Sequence, residues 1–147
     1  MMNKNRKGFT LIELLVVIAI IGLLSTLAVV ALGSARQKAN DAKRLSDIKQ
    51  IQTALELYYT DQNSYPIAAS AVSLGDTNYS CLNATGFSTT GCATPYMGLV
   101  PEGPTAGEFY SYTGSTTTYT ITASLQAGAG GFAAGALTAS PSGMIGQ

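Results

Sequence analysis

The chain has 147 residues, among them 16 Gly, eight basic and eight acidic residues, and no His or Trp. That length holds one small domain plus a membrane-length segment and excludes a large multidomain enzyme. All eight cations lie at or before Lys49, and the remainder carries only the acids Glu56, Asp61, Asp76, Glu102 and Glu108, so this part has no means of neutralising nucleic acid phosphates. The absence of His removes the commonest general base and zinc ligand, and no Lys follows Lys49 to activate a Ser or Thr nucleophile. The chain therefore reads as a non-enzyme without cofactor or metal.

The N-terminus is basic, with Lys4, Arg6 and Lys7 ahead of Gly8, and is followed at once by Phe9-Thr10-Leu11-Ile12-Glu13. From Leu14 to Ala35 there are 22 residues without a charge, a helix of about 33 Å and long enough to cross a bilayer core. Ser34-Ala35 could end a secretory signal, but the apolar run exceeds the usual ~7–15 residues of such signals. Glu13 needs a reason, because a carboxylate in a spanning helix is costly and marks a function by default. No Lys or Arg follows it before Arg36. A cut between Gly8 and Phe9 would create an α-amino group four residues before Glu13 and place the acid in the first turn, where unpaired N–H groups and the helix dipole favour negative charge. The other reading leaves Glu13 shallow among lipid headgroups with no role. Spacing alone leaves both open.

Lys7-Gly8-Phe9-Thr10-Leu11-Ile12-Glu13 with the apolar run behind it resembles the processing signature of type IV pilins and the related pseudopilins of type II secretion. The resemblance implies that residues 1–8 are a leader removed by a membrane prepilin peptidase and methyltransferase, with Gly8 its last residue and Phe9 the methylated start of the mature chain. Glu13 matches the glutamate that pairs with the N-terminal amine of a neighbouring subunit, although its own amine is also within reach. The implied fold is α+β, a long N-terminal helix packed on a small antiparallel β-sheet head. The implied partners are other copies in a helical filament, an assembly platform with its ATPase, and the inner membrane before assembly; an extracellular filament or periplasmic pseudopilus follows. Major pilins, minor pilins and pseudopilins share the motif. A membrane-tethered binding protein is the alternative from another class, and for a mere tether Glu13 is a needless cost.

Residues 9–35 are thus expected to form the transmembrane and filament-core helix, 36–62 its amphipathic continuation, and 63–147 a loop plus sheet. Leu45, Ile48, Ile51, Leu55, Tyr58 and Tyr59 fall on one helix face. Glu56 is expected on the exposed side. Asn63 can cap the helix in the left-handed region, and Pro66 biases Tyr65 away from helical angles, so the helix should end near Gln62. Arg36, Lys38, Lys43, Arg44 and Lys49, interleaved with Asp41 and Asp47, read as a solvated, partly self-paired surface rather than a lipid or nucleic acid patch.

Cys81 and Cys92 are the only cysteines, so an oxidising compartment leaves one possible disulfide, which places the head outside the cytoplasm. Tyr119, Ile121, Ala123 and Leu125 alternate with Thr118, Thr120, Thr122 and Ser124, the period of a strand with one buried face. Glu108–Tyr112 and Tyr96–Val100 are its expected neighbours after a loop from 63 to about 95. A last strand is expected around Gly135–Ala139, within a Gly/Ala-rich tail that should be partly disordered. Tyr58 to Pro66 is similar to the helix exit of small pilins and major pseudopilins, and Leu99-Val100-Pro101 to their sheet entrance. Glu102-Gly103-Pro104-Thr105 stands in place of the Asp-Pro-Trp-Gly turn of major pseudopilins, and Asp76, Glu102 and Glu108 are too scattered for their calcium site. Val30 stands where many pilins have a helix-bending Pro.

Overall fold

The computed structural model describes residues 8–89 and 91–146, so the expected leader, apart from Gly8, lies outside the described part. Two compact units are resolved, one ending at Arg36 and one from Gln37 onward. Helix α1 spans Leu11–Gln62. In the first unit its large apolar side chains, from Leu11 to Leu32, are 45–81 % exposed, and the helix is long and apolar enough to cross a membrane.

The strands of the second unit are β1 Ala68–Leu74, β2 Cys81–Asn83, β3 Gly86–Ser88, β4 Tyr110–Gly114, β5 Tyr119–Leu125, β6 Gly135–Ser140 and β7 Gly143–Gly146. Five of them form an antiparallel sheet in the order β1-β4-β5-β6-β7, on which α1 lies. β2 and β3 form a separate hairpin. The core joins Ile48, Ile51, Leu55 and Tyr58 of α1 to Leu74, Tyr110, Tyr112, Tyr119, Ile121, Leu125 and Leu137 of the sheet. The helix stripe and the period-2 pattern of β5 therefore meet face to face, as their periodicities require. α1 stops where Asn63 takes φ 51° and its N–H bonds the Tyr59 carbonyl at 2.8 Å, a left-handed end that relieves one orphan carbonyl.

Three sequence expectations change. Tyr96–Val100 is not a neighbour of β5; it runs beside β2, with the Leu82 N–H on the Met97 carbonyl at 2.9 Å and the Val100 N–H on the Ser80 carbonyl at 2.7 Å. Pro95, Gly98 and Pro101 limit it to a single bridge. The place beside β5 goes to β6, and β1, inside the segment expected to be loop, pairs with β4. The strand expected around Gly135–Ala139 is β6, with Leu137 and Ala139 buried against the core, but the tail beyond it, expected to be partly disordered, adds β7. At Gly114 a Cβ would collide with the Tyr112 hydroxyl and the Pro66 carbonyl, which share a 2.7 Å hydrogen bond, so that strand end requires glycine.

Candidate functional site

The chemistry-bearing positions fall into two groups, one in each unit. At the N-terminus Gly8 and Phe9 are exposed, Phe9 to 80 %, so the peptide bond between them is sterically open. Thr10 precedes the helix, and its backbone N–H and hydroxyl donate to Glu13 Oε2 at 2.8 and 2.6 Å. The Glu13 N–H donates back to Thr10 Oγ1 at 3.3 Å. This is a reciprocal capping box, in which a Thr at the N-cap and a Glu three residues on satisfy each other's donors. Both bonds from Thr10 end on Oε2; Oε1 accepts none among the described residues. No cation pairs with Glu13 among the described residues. Phe9, Ile12, Glu13, Val16 and Val17 line one shallow groove along the helix, in which Glu13 is the one charged group.

The Thr-x-x-Glu spacing ahead of an apolar run is the sequence signal for this box, and it is a local role for Glu13 that spacing arguments about a missing cation pass over.

In the second unit the helix face that carries the core continues back to charged residues. Asp41, Arg44 and Asp47 are buried, at 0, 2 and 5 % exposure, which corrects the reading of this segment as a solvated surface. Their spacing is the reason: positions 41, 44, 48, 51, 55 and 58 share one face at 100° per residue. Asp41 accepts the consecutive backbone N–H groups of Gln126, Ala127 and Gly128 at 2.9, 2.6 and 2.8 Å. Arg44 donates to Asp41 at 2.7 Å and, by a two-point contact at 2.5 and 2.8 Å, to Glu108. Tyr110 donates its hydroxyl to Asp47 at 2.7 Å. Burial pushes the Asp41 carboxyl up, but the N–H groups and Arg44 outweigh it and hold the acid below the usual range. The Arg44 guanidinium likewise holds Glu108 low, and Glu108 in turn raises Arg44. Burial and then the bond to Asp47 raise the Tyr110 phenol. The network fastens α1 to the turn after β5 and to the entrance of β4.

Glu56 is exposed as expected, yet both its oxygens accept the Tyr65 hydroxyl at 3.1 Å and one also accepts Tyr119 at 3.4 Å, so it is not an idle surface acid. Cys81 and Cys92 are joined, with Cα atoms 6.3 Å apart; Cys81 is fully buried and Cys92 half-buried. Of the acids weighed for calcium, Glu108 is engaged with Arg44. Among the described residues no three His, Cys, Asp or Glu side chains group together.

A family model described as the prokaryotic N-terminal methylation motif matches residues 3–33. Type II secretion system core protein G of Aeromonas hydrophila is 42 % identical over 66 residues, covering 45 % of this chain and 46 % of that one. The same-named protein of Escherichia coli strain K12 is 44 % identical over 62 residues, 42 % of this chain and 43 % of its own. Type IV wide pilus major component PilA4 of Thermus thermophilus is 44 % identical over 73 residues, 49 % of this chain and 56 % of its own. The chain spans about half the length of the curated relatives it matches. No solved structure matches significantly. Residues 3–33 of this chain thus carry the prokaryotic N-terminal methylation motif, and part of its length is similar to proteins named for type II secretion and for a type IV pilus.

Proposed function

We propose that this chain is a structural subunit of a type IV pilus or pilus-like filament, processed after Gly8, methylated at Phe9 and assembled from the inner membrane through its N-terminal helix. The observation that carries the reading is the run from Leu11 to Leu32, 45–81 % exposed, interrupted near its start by the single carboxylate of Glu13. Apolar surface of that extent requires lipid or other copies to cover it, and exchanging lipid for copies gains little from apolarity alone, because lipid tails are as apolar as Leu. A selective contact is needed to set register. The α-amine created at Phe9 can supply it by meeting the open Oε1 of Glu13 on another copy, with Oε2 kept by the cap.

The partners of this reading are further copies of the chain, a prepilin peptidase with methyltransferase activity, and an assembly platform with its ATPase. The helix sits in the membrane before assembly, and the head, with Cys81 and Cys92 oxidised, lies outside. A second reading, a subunit of a periplasmic type II secretion pseudopilus, is favoured by the relatives named as secretion core protein G. Intact-mass measurement on membrane or filament protein tests the processing step: the expected mature chain begins at N-methyl-Phe9, and Gly8→Arg is expected to abolish cleavage. A chain that keeps Met1–Gly8 in cells with active peptidase overturns the proposal. Imaging the labelled subunit then separates the readings, since surface filaments support a pilus and loss of secretion without surface filaments supports a pseudopilus.

A further inference from the structure

Between the last turn of α1, strand β1 and the β2–β3 hairpin lies a cavity of about 480 Å³, within the size range of small-molecule sites. Its walls include Tyr58, Ser64, Ser70, Tyr79, Phe87 and Tyr112. None of its 13 lining residues is an acid, an amide, a Lys or an Arg, so nothing there would hold a phosphate, a carboxylate or an ammonium group.

The hydroxyls divide into two sets. Those of Tyr65, Tyr112 and Thr85 are committed, to Glu56, the Pro66 carbonyl and Asn83. Those of Tyr58, Ser64, Ser70 and Tyr79 have no side-chain hydrogen bond among the described residues, and none of the four is among the water-inaccessible orphans, so each is open to the cavity. At the mouth, β1 pairs with β4 at Ala68 and again only at Val72, so Ala69, Ser70 and Ala71 face Thr113 alone. Such bulges are over-represented beside binding sites, where they re-aim side chains.

An apolar occupant would strip water from four uncommitted hydroxyls and return nothing, which is unfavourable. A charged occupant would find no counter-charge. A polyol ring meets both demands, since each of its hydroxyls donates and accepts while its C–H face can lie on the half-buried Phe87 ring. We propose that this cavity binds one neutral sugar residue, an uncharged hexose or N-acetylhexosamine unit, with the Tyr58 hydroxyl among its hydrogen-bonding groups. The site lies wholly in the head and does not depend on whether the chain builds a filament.

The test is ligand-observed saturation-transfer NMR on the full chain, in a detergent without a sugar headgroup. The probes are glucose, galactose, N-acetylglucosamine and N-acetylgalactosamine, with glucuronate and glucosamine as charged counterparts and indole as an apolar one. At least one neutral sugar is expected to saturate in the millimolar range and to displace itself. Tyr58→Phe, which keeps the ring, is expected to weaken it up to about tenfold, the size of one hydrogen bond. Ser70→Val, at an exposed position, gives a second variant whose folding is not at issue and is expected to weaken it less. Saturation by no neutral sugar, equal binding of charged sugars or indole, or unchanged affinity in Tyr58→Phe overturns the proposal.

Discussion

The two hydrogen bonds that Glu13 receives from Thr10 both end on Oε2, so cap and charge are separable in one side chain. A Gln three residues after the N-cap closes the same reciprocal box without a charge. Glu13→Gln is therefore expected to keep the start of α1 and still enter filaments poorly, as Glu13→Ala should after losing cap and charge together. The measurement is filament yield from equal amounts of processed subunit. Normal yield from the Gln variant beside a defective Ala variant would assign the role to the cap. Glu102→Ala suits as the control, because its side chain is exposed and makes no hydrogen bond among the described residues. Glu56 does not, since its removal would orphan the hydroxyls of Tyr65 and Tyr119. Burial, followed by the bond to Glu56, already pushes the Tyr65 phenol up to about 12.

α1 in the second unit is held by polar bonds as much as by its apolar stripe. Asp41 neutralises three successive N–H donors and part of Arg44, and removing one partner of a buried pair costs about 3–5 kcal/mol because the other is left uncompensated. Asp41→Ala is expected to destabilise the full chain on that scale in urea unfolding. Asp41→Asn, which accepts with one oxygen only, should fall between. Both Asp41 and Glu108 have folded-state pKa values below their ordinary ones, so their contribution is fully present above the unfolded-state carboxylate range, declines as pH falls below it and is lost as pH falls through the lower folded values. Stability should thus be flat near neutrality and decline below about pH 5, and the Asp41→Ala chain should show a shallower decline. Equal acid sensitivity in both would place the titration elsewhere. The stripe from Leu45 to Tyr59 was legible because apolar residues recurring every three or four positions make one continuous face that a helix must bury. The charged extension at 41 and 44 was not, because charge at helical spacing is normally a solvated face, and its partners Glu108 and residues 126–128 lie more than sixty positions away in sequence.

At the scale of the whole molecule, legibility follows side-chain pattern. β5 matches its sequence reading from Tyr119 to Leu125 because Tyr, Ile and Leu alternate with Thr. β1 is built from Ala, Ser and Val before its final Leu74 and is broken by a bulge, and β2 and β3 are three residues each, so none presents a period long enough to read. β7 is Gly-Met-Ile-Gly, and its pairing depends on β6 rather than on its own propensity. What ties the short pieces down is the link between Cys81, which is fully buried at the start of β2, and Cys92. A loop of that size contributes roughly 3 kcal/mol by restricting the unfolded chain. Neither cysteine belongs to the five-stranded sheet, so reduction should loosen the hairpin and the segment after it while the sheet and α1 hold. Trypsin cannot report this, because no Lys or Arg follows Lys49. Chymotrypsin can: under reducing conditions cleavage is expected first at Phe87 and Tyr96, which are half-buried, and later at Tyr110, Tyr112 and Tyr119, which are at most 1 % exposed. Without reductant both regions should resist and both thiols should escape alkylation. Simultaneous cleavage of the two regions on reduction would show that the link stabilises the head as one unit rather than clasping its edge.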